Sequence, residues 1–277
     1  MSFDCCFVTS RNNKKIKNIF RLLRDVSFRN SSGMFVVESI KLMLEMLGFG
    51  IKILESYFDE KLFGNLEVAV REKILSSSDR SYVVKAGILN SVASVVSCSG
   101  AVFVCQQPVE LEKCEFLTKK NANNIFFVEN IQNPLNFGSI IRSCYAFGVR
   151  YIFASKTCCD AYNPKVIRAS SGLVLRTTVS YVENFLEYLL ELKQENFKIF
   201  GLTPHGSNEN IEILSKVDSY SKNIILVGNE GVGLTSKSLE TCDVKLRIPM
   251  YKNVESLNVS VTVGIVLWEL YKNKFKK

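Results

Sequence analysis

Histidine is almost absent from this chain of 277 residues, which contains only His205. A reaction that relays protons between histidine side chains is therefore disfavoured, and so is a zinc site built from histidine and cysteine. Nine cysteines are present, but none has the CxxC spacing and two pairs are adjacent (Cys5–Cys6 and Cys158–Cys159). An odd count in this arrangement favours buried free thiols, so we expect no metal and a reducing, cytoplasmic compartment.

The chain also lacks a long apolar run. The longest, Val92–Cys105, is interrupted by serine and glycine and is too short to cross a bilayer. Residues 1–15 do not have the charged-then-apolar order of a secretory signal. Hydrophobic residues still make up 47% of the sequence, which is enough for a sizeable core. We expect a soluble globular protein without a membrane anchor.

Acidic residues are outnumbered by basic ones, which gives a formal net charge of +8. The lysines and arginines are spread along the whole chain. A positive excess suits a polyanionic partner such as RNA, DNA or an anionic membrane, but it also serves solubility. Charge alone leaves both interpretations open.

Two stretches of alternating strands and helices indicate two α/β domains, of which the first is smaller. In residues 1–106 a basic amphipathic helix is predicted over 12–26, where apolar residues recur at three- and four-residue spacing. The rest of this stretch predicts a largely parallel sheet. Its predicted strands are 34–37, 51–54, 82–84 and 101–105, and its other helices are 38–47, 59–63, 66–75 and 86–95.

Residues 107–124 lose this periodicity and gain Pro, Gln, Asn and Lys, so we interpret them as a linker. A second alternation occupies residues 125–277. Its predicted strands are 125–128, 151–154, 198–202, 223–227 and 244–248, and its helices are 137–147, 163–169, 182–195, 235–240 and 258–273.

Three dense clusters stand out in this second domain: NPLNFGSIIR (133–142), ILVGNEGVGL (225–234) and IPMYKNVESLNVS (248–260). Each combines glycine or other small residues with a few reactive side chains beside a short apolar run. Ligands of open α/β sheets bind beyond the carboxyl ends of the strands. The clusters therefore predict one site assembled from several strand ends.

The first cluster offers Asn136, which can cap the helix that follows it, and Arg142, six residues later. The spacing allows both side chains to face one cleft, although Arg142 could equally be a solvated helix arginine. The second cluster has neither a P-loop nor the GxGxxG spacing, so a nucleotide-phosphate loop is disfavoured. Its Glu230 is either functional or a helix cap. The third cluster has two capping-competent residues, Ser256 and Asn258, where one would suffice.

In order and spacing, the three clusters resemble the signature motifs of the SpoU/TrmH branch of the SPOUT RNA methyltransferases. The resemblance covers essentially all of 125–277 and includes CCDAYNPKVIRASSG (158–172). More loosely, the N-terminal stretch resembles the substrate-binding domain that precedes the catalytic domain in many members. The resemblance implies a C-terminal trefoil-knotted α/β domain, a homodimer with composite active sites, and methyl transfer from S-adenosylmethionine to a ribose 2′-hydroxyl of RNA.

The resemblance also assigns residues to roles. Arg142 would act electrostatically, because the pKa of a guanidinium is too high for a general base. The implied catalytic residues are Asn136, Arg142, Glu230, Ser256 and Asn258. The implied cofactor contacts are Leu202, Thr203, Gly228, Ile248 and Leu257. Contacts with RNA are expected from Arg11, Lys14, Lys15, Arg21 and Arg168.

Three positions depart from the family pattern. Leu135 and Lys252 stand where glycine is common, and Ser39 replaces the usual glycine after Glu38 in the first domain. None of these changes removes a functional side chain, so we expect an active enzyme. The leading substrate is 23S-type ribosomal RNA. The alternatives are a tRNA methyltransferase, a resistance-conferring rRNA methylase, and a catalytically silent RNA-binding or assembly factor.

Overall fold

We describe a computed structural model of the chain that covers residues 6–93, 100–108, 124–204, 209–210, 222–252 and 254–272. Most of the predicted linker, as well as His205, lies outside these ranges. The described residues form two compact units. The first comes from Met1–Val109 and Tyr162–Leu175, and the second from Glu110–Ala161 and Arg176–Lys277.

The first unit contains a five-stranded sheet and short helices. Its strands are β1 (Cys6–Val8), β2 (Met34–Val37), β3 (Ile53–Asp59), β4 (Ser78–Val84) and β5 (Ala101–Gln106). Its helices are α1 (Lys14–Arg24), α2 (Val26–Ser32), α3 (Ile40–Leu47), α4 (Glu60–Asn65), α5 (Val68–Ser76) and α6 (Ile88–Val92). Of these elements, β1 and α2 were not predicted, because three and seven residues are too few to show a period.

The prediction of a largely parallel sheet is wrong for this unit. The strand order is β1-β4-β3-β5-β2, in which β1–β4 and β3–β4 are parallel, whereas β5 is antiparallel to both β3 and β2. Strand β5 is a continuous buried apolar run from Ala101 to Cys105. Such a run predicts a buried strand but carries no information about the direction of that strand. For this reason the antiparallel pairing of β5 was not predicted.

Helix α1 forms where the basic amphipathic helix is predicted. The Asn13 side chain caps it by accepting a hydrogen bond from the Lys15 amide at 2.9 Å. Ile16, Ile19 and Leu22 are buried in the core of the unit. Removing an aliphatic side chain of this kind from water stabilises the fold by about 1.5–3 kcal/mol. Burial of the apolar stripe therefore holds α1 on the sheet and leaves Lys14, Lys17, Arg21 and Arg24 exposed.

The second unit contains a seven-stranded sheet, and every pairing in its described part is parallel. The strand order is β10-β12-β9-β11-β6-β7-β8. Its strands are β6 (Asn124–Val128), β7 (Tyr151–Ser155), β8 (Thr178–Val182), β9 (Lys198–Leu202), β10 (Glu209–Asn210), β11 (Asn223–Val227) and β12 (Val244–Arg247). Its helices are α7 (Pro134–Ala146), α9 (Phe185–Gln194), α10 (Ser236–Thr241) and α11 (Val259–Tyr271), whereas α8 (Pro164–Ala169) groups with the first unit.

Most strands of this sheet agree with the predicted ones to within a residue or two. Strand β8 was missed, because it is a sheet edge whose five residues are all only half-buried. Strand β11 lies at the centre, and all five of its residues are buried. Because the strands are parallel, the segments that follow β6, β9, β11 and β12 all leave the same edge of the sheet. The three sequence clusters lie in or beside these segments.

No helix within the described ranges is both long enough and apolar enough to cross a lipid bilayer.

Candidate active site

Asn136, Glu230 and Asn258 are joined by hydrogen bonds although each comes from a different sequence cluster. The Nδ2 of Asn136 donates to Oε1 of Glu230, and the Oδ1 of Asn136 accepts from Nδ2 of Asn258 at 3.0 Å. The Oδ1 of Asn258 accepts in turn from the amide of Ser260 at 2.9 Å. Since one end of the Asn136 amide donates and the other accepts, its orientation is fixed. The structure therefore brings three of the five predicted catalytic residues together.

The sequence suggested that Asn136 caps its helix, but in the structure it does not. Helix α7 begins at Pro134, and the Oδ1 of Asn133 caps it by accepting from the Leu135 amide at 2.9 Å. Proline suits the first turn of a helix, where its missing N–H has no partner to lose. Asn136 consequently lies inside the first turn and is 9% exposed. Its amide is then available to Glu230 and Asn258.

The sequence offered Ser256 and Asn258 as candidate caps of helix α11, and Asn258 is the cap in the structure. Ser256 precedes it and is exposed, so only one of the two candidates is used to start the helix. Glu230 does not cap α10, because that role belongs to Thr235. Glu230 and Ser256 both line a cavity beside these helices. Neither is committed to helix capping.

A cavity of about 310 Å³ lies where the segments after β9, β11 and β12 meet. All five residues predicted to contact a cofactor line it, together with two of the predicted catalytic residues. They are Leu202, Thr203, Gly228, Ile248, Leu257, Glu230 and Ser256. The volume is at the lower end of the range found for small-molecule sites.

The lining of the cavity is apolar and acidic. Its charged members are Glu230 and Glu255, and none of the described residues that line it is basic. Leucine, isoleucine and valine side chains supply apolar surface, and threonine, serine and asparagine side chains add neutral polar groups. A phosphate-rich ligand would meet carboxylates without compensating cations, so the cavity is ill suited to a nucleotide polyphosphate. It is well suited to a small ligand that carries an apolar body and positive charge.

The cavity loop, Gly228–Leu234, follows β11 and is tightly folded. A Cβ atom on Gly228 would lie 2.3 Å from the carbonyl group of Gly233, so only glycine fits at this position. Asn229 holds the turn, since its Oδ1 accepts from the amide of Gly231 at 2.8 Å. Its Nδ2 donates to the carbonyl of Asn130 at 2.9 Å, which ties the loop to the end of β6. This role of Asn229 was not predicted, although the string Gly228–Gly231 (GNEG) indicates a tight turn.

Arg142 is not part of this group within one chain. It is exposed on α7, and it makes no hydrogen bond or ion pair with the residues that the structure describes. Six residues correspond to about 600° of helical rotation, so Arg142 and Asn136 lie on faces about 120° apart. Within one protomer the two side chains therefore leave different faces of α7, and the expectation that both face one cleft stays a prediction that requires a second copy of the chain. The guanidinium is available to a partner outside the described residues.

The five residues predicted to contact RNA have different surroundings in the first unit. Lys15 forms an ion pair with Glu55 at 2.5 Å, and Arg168 forms one with the buried Glu38 at 3.3 Å. Arg11 donates to the Ser91 hydroxyl at 2.8 Å, and Arg21 stacks on the Phe28 ring at 3.7 Å from its centroid. Lys14 is exposed and has no such contact with the described residues.

The described cysteines are free thiols, and several of them are buried or half-buried. Burial raises the pKa of Cys159 to about 12 and that of Cys242 to about 11, and it also raises the pKa of Cys158. These groups are therefore protonated near neutral pH. Within the described ranges there is also no cluster of three or more His, Cys, Asp or Glu that could hold a metal ion.

Comparison with known proteins gives a consistent result. The model of the SpoU rRNA Methylase family matches residues 123–268. The chain is 28% identical over 267 residues to the 23S rRNA (guanosine(2553)-2'-O)-methyltransferase RlmP of Bacillus subtilis, which covers 95% of this chain and 98% of that protein. It is 32% identical over 164 residues to the tRNA (guanosine(18)-2'-O)-methyltransferase of Aquifex aeolicus, which covers 59% of this chain and 75% of that protein.

The fold is also found among solved structures. The SpoU methyltransferase AviRb of Streptomyces viridochromogenes, solved in complex with the cofactor AdoMet, superposes with a TM-score of 0.78 at 20% identity. The superposition covers 96% of this chain and 100% of that one. The predicted SPOUT-type α/β fold is thereby confirmed.

Proposed function

The chain belongs to the SpoU rRNA methylase family, and we propose that it transfers a methyl group from S-adenosylmethionine to a ribose 2′-hydroxyl of RNA. The observation that carries this proposal is the convergence of Asn136, Glu230 and Asn258 beside the cavity. Ser256 and Glu230 line that cavity, so groups from all three clusters stand next to the space for the methyl donor.

The cavity fits S-adenosylmethionine, which supplies an activated methyl group on a positively charged sulfonium. Two carboxylates beside a set of leucine, isoleucine and valine side chains suit a cationic ligand with an apolar body. Leu202, Ile248 and Leu257 would enclose that body, and Gly228 would bring backbone polar groups close to it. Glu230 is hydrogen-bonded to Asn136, so its carboxylate lies at the edge of the cavity beside the first cluster.

The chain's own residues position the ribose and manage the charge. A ribose hydroxyl is a weak nucleophile, and correct alignment alone can supply about 7–11 kcal/mol of the barrier. The fixed amide of Asn136 and the exposed hydroxyl of Ser256 are suited to that alignment. Arg142 binds phosphate and stabilises the negative charge that develops on the oxygen. A guanidinium has only donors and no acceptor site, so this residue does not act as the general base.

We further propose a cytoplasmic homodimer in which each site uses residues of both protomers. Arg142 lies outside the group formed by Asn136, Glu230 and Asn258, so a second copy is needed to supply it. Helix α7, which carries Asn136 and Arg142, and helix α11, which Asn258 caps, also expose apolar side chains. These are Leu135 on α7, and Val261 and Trp268 on α11. Burial of such a surface drives association. The trefoil knot is part of the same proposal, and membership of the family supports it.

The division into an RNA-binding domain (1–106), a linker (107–124) and a methyltransferase domain (125–277) also stands as a proposal. The basic helix α1 supports it, because Lys14, Lys17 and Arg21 are exposed and can contact phosphates. The expected contact between Lys15 and RNA has less support, since the ammonium group of Lys15 is paired with Glu55. Arg168 is likewise paired, with Glu38, and would contact RNA only through the face it keeps exposed.

Ribosomal RNA is the favoured substrate, as the 23S-type assignment proposes. The 23S rRNA enzyme aligns over 95% of this chain, including the proposed RNA-binding domain, whereas the tRNA enzyme aligns over 59%. The proposed RNA-binding domain suits recognition of a folded RNA. The alignment that includes this domain therefore supports ribosomal RNA more strongly than the shorter alignment supports tRNA.

Mapping of ribose methylation across rRNA and tRNA, with and without the gene, tests the choice of substrate. We expect one mark to disappear from the large ribosomal RNA. Loss of a mark in tRNA alone would support the tRNA alternative. If the gene adds a mark that protects ribosomes from an antibiotic, the resistance methylase is the better description. If calorimetry detects no binding of S-adenosylmethionine, the chain is a silent RNA-binding factor.

A further inference from the structure

Glu129 is a buried carboxylate that does not line the cavity. It directly follows β6 and is 8% exposed. Its Oε2 accepts from the Thr235 amide at 2.9 Å, and its Oε1 accepts from the Thr235 hydroxyl at 3.0 Å and from the Ser238 hydroxyl at 2.8 Å. A buried charge is costly unless donors surround it, and here three donors converge on one carboxylate.

These donors belong to the segment that ends the cavity loop. Thr235 is the residue after Leu234 and the cap of helix α10. The loop's other end is held by the same residue, since the backbone amide of Glu129 donates to the carbonyl of Val227 at 2.9 Å. Glu129 therefore contacts the residue on each side of Gly228–Leu234.

The next residue adds a third attachment. Asn130 has a positive φ of 58°, which is uncommon for a residue other than glycine. In this conformation its carbonyl accepts from Nδ2 of Asn229, and its amide donates to the Ser155 hydroxyl at 2.9 Å. The dipeptide Glu129–Asn130 thus fixes the cavity loop at its start, inside it and at its end.

We propose that Glu129 is a positioning residue for the methyl donor: its carboxylate holds the end of Gly228–Leu234 through Thr235 and Ser238, and so keeps the cavity in its binding shape. The inference rests on the proposed function, because it takes the cavity to be the S-adenosylmethionine site. Glu129 touches neither the donor nor the RNA. Its loss therefore weakens donor binding without removing a group from the chemistry.

The test is the affinity of the full-length protein for S-adenosylmethionine, measured by calorimetry without RNA. Glu129→Gln keeps the shape of the side chain but replaces one acceptor oxygen with an NH₂ group and removes the charge. Charge-assisted hydrogen bonds of this kind make a loss of roughly tenfold in affinity the expected result. In turnover assays the KM for S-adenosylmethionine should rise by a similar factor, while kcat at saturating donor changes less than about twofold.

Thr235 offers a matched pair of variants, since it does not line the cavity. Thr235→Val keeps the size of the side chain and loses the hydroxyl, so donor affinity should fall. Thr235→Ser keeps the hydroxyl and should bind as the wild type does. This pair carries the test if Glu129→Gln does not fold.

Glu38→Gln is the control for loss of stability alone. Glu38 is another buried carboxylate, 7% exposed, and its partner Arg168 belongs to the first unit. This variant should lower the midpoint of urea unfolding and leave donor affinity unchanged. Unchanged affinity in Glu129→Gln and Thr235→Val, with a wild type that binds, would overturn the inference alone. Absence of binding by the wild type would overturn the proposed function and the inference with it.

Discussion

The Nδ2 of Asn136 donates a hydrogen bond to Oε1 of Glu230, which lies 94 positions further along the chain. The opposite end of the same amide accepts from Asn258, 122 positions away from Asn136. A side-chain amide held between a carboxylate and a second amide cannot rotate without breaking both contacts. This arrangement joins the three sequence clusters into one group.

Replacing Asn136 with alanine is expected to lower kcat for methyl transfer about 10²–10³-fold, the range seen when one fixed active-site donor is removed. The change leaves Glu230 and Asn258 without their common partner. Single-turnover assays at saturating S-adenosylmethionine measure the effect. Asn133→Ala is the control on the same helix: it removes the α7 cap, costs about 1 kcal/mol of stability and should leave the rate unchanged. Equal losses of rate in the two variants would mean that Asn136 acts only through stability.

Arg142→Ala is expected to keep binding of S-adenosylmethionine and to abolish turnover, because the guanidinium acts on RNA and on developing charge. If the partner protomer supplies Arg142, mixing Arg142→Ala with Asn136→Ala protomers restores activity. In a mixed dimer, one of the two sites then contains both intact residues. Co-expression with two affinity tags isolates the mixed dimer for assay. An inactive mixed dimer would place Arg142 and Asn136 in the same protomer's site.

Two glycines of the cavity loop should respond differently to alanine. Gly228→Ala places a Cβ 2.3 Å from the Gly233 carbonyl group, so the loop must shift and binding of S-adenosylmethionine is expected to be lost. At Gly231 the nearest atom to a new Cβ is Oδ1 of Asn229 at 3.5 Å, an ordinary contact. Gly231→Ala should therefore bind within about twofold of the wild type, since nothing has to move. Calorimetry measures both. Similar affinities for the two variants would show that the shape of the loop is not what binds the donor.

Buried thiols should make the protein less stable at alkaline pH. Burial raises the pKa of Cys144, so the native state keeps this thiol protonated while the unfolded chain ionises it above about pH 8.5. Its contribution to stability is complete below that pH and is lost as the pH rises toward the folded-state pKa. Cys144→Ala should therefore reduce the alkaline slope of the unfolding free energy by up to about 1.4 kcal/mol per pH unit. Urea titrations between pH 8 and 10.5 provide the measurement.

The control for this experiment is Cys6→Ala, which removes an exposed thiol. Its slope should equal that of the wild type, because this side chain is in water in both states. A slope unaffected by Cys144→Ala would contradict the assignment of Cys144 as a buried, protonated thiol.

The sequence predicts the second unit better than the first, for physical reasons. Strands such as β9 and β11 are short apolar runs followed by glycine or turn residues, which mark both their length and their ends. Strand β5 is just as apolar, but hydrophobicity carries no direction, so its antiparallel pairing was missed. Edge strands β1 and β8 are partly exposed and were missed because their patterns are weak.

The site was predictable where a residue type is unusual for its position. A strand end or a helix start does not require the residue types found at Gly228, Glu230 and Ser256. All three of these residues line the cavity. Glu129 gave no such signal, because an acidic residue after a strand is ordinary and its partners lie over a hundred positions away. The role of Arg142 stays a prediction, because helix spacing fixes the face on which a residue lies but does not reveal which chain that face meets.

The most direct test of the account is the chemical position of the methyl group. The purified protein is incubated with radiolabelled S-adenosylmethionine and ribosomal RNA, and the RNA is then hydrolysed with alkali. A 2′-O-methyl group blocks cleavage of the adjacent phosphodiester, so we predict that the label appears in alkali-resistant dinucleotides and is absent with Asn136→Ala. Label in mononucleotides would mean methylation of a base, and that result would contradict the assignment of this chain as a ribose 2′-O-methyltransferase.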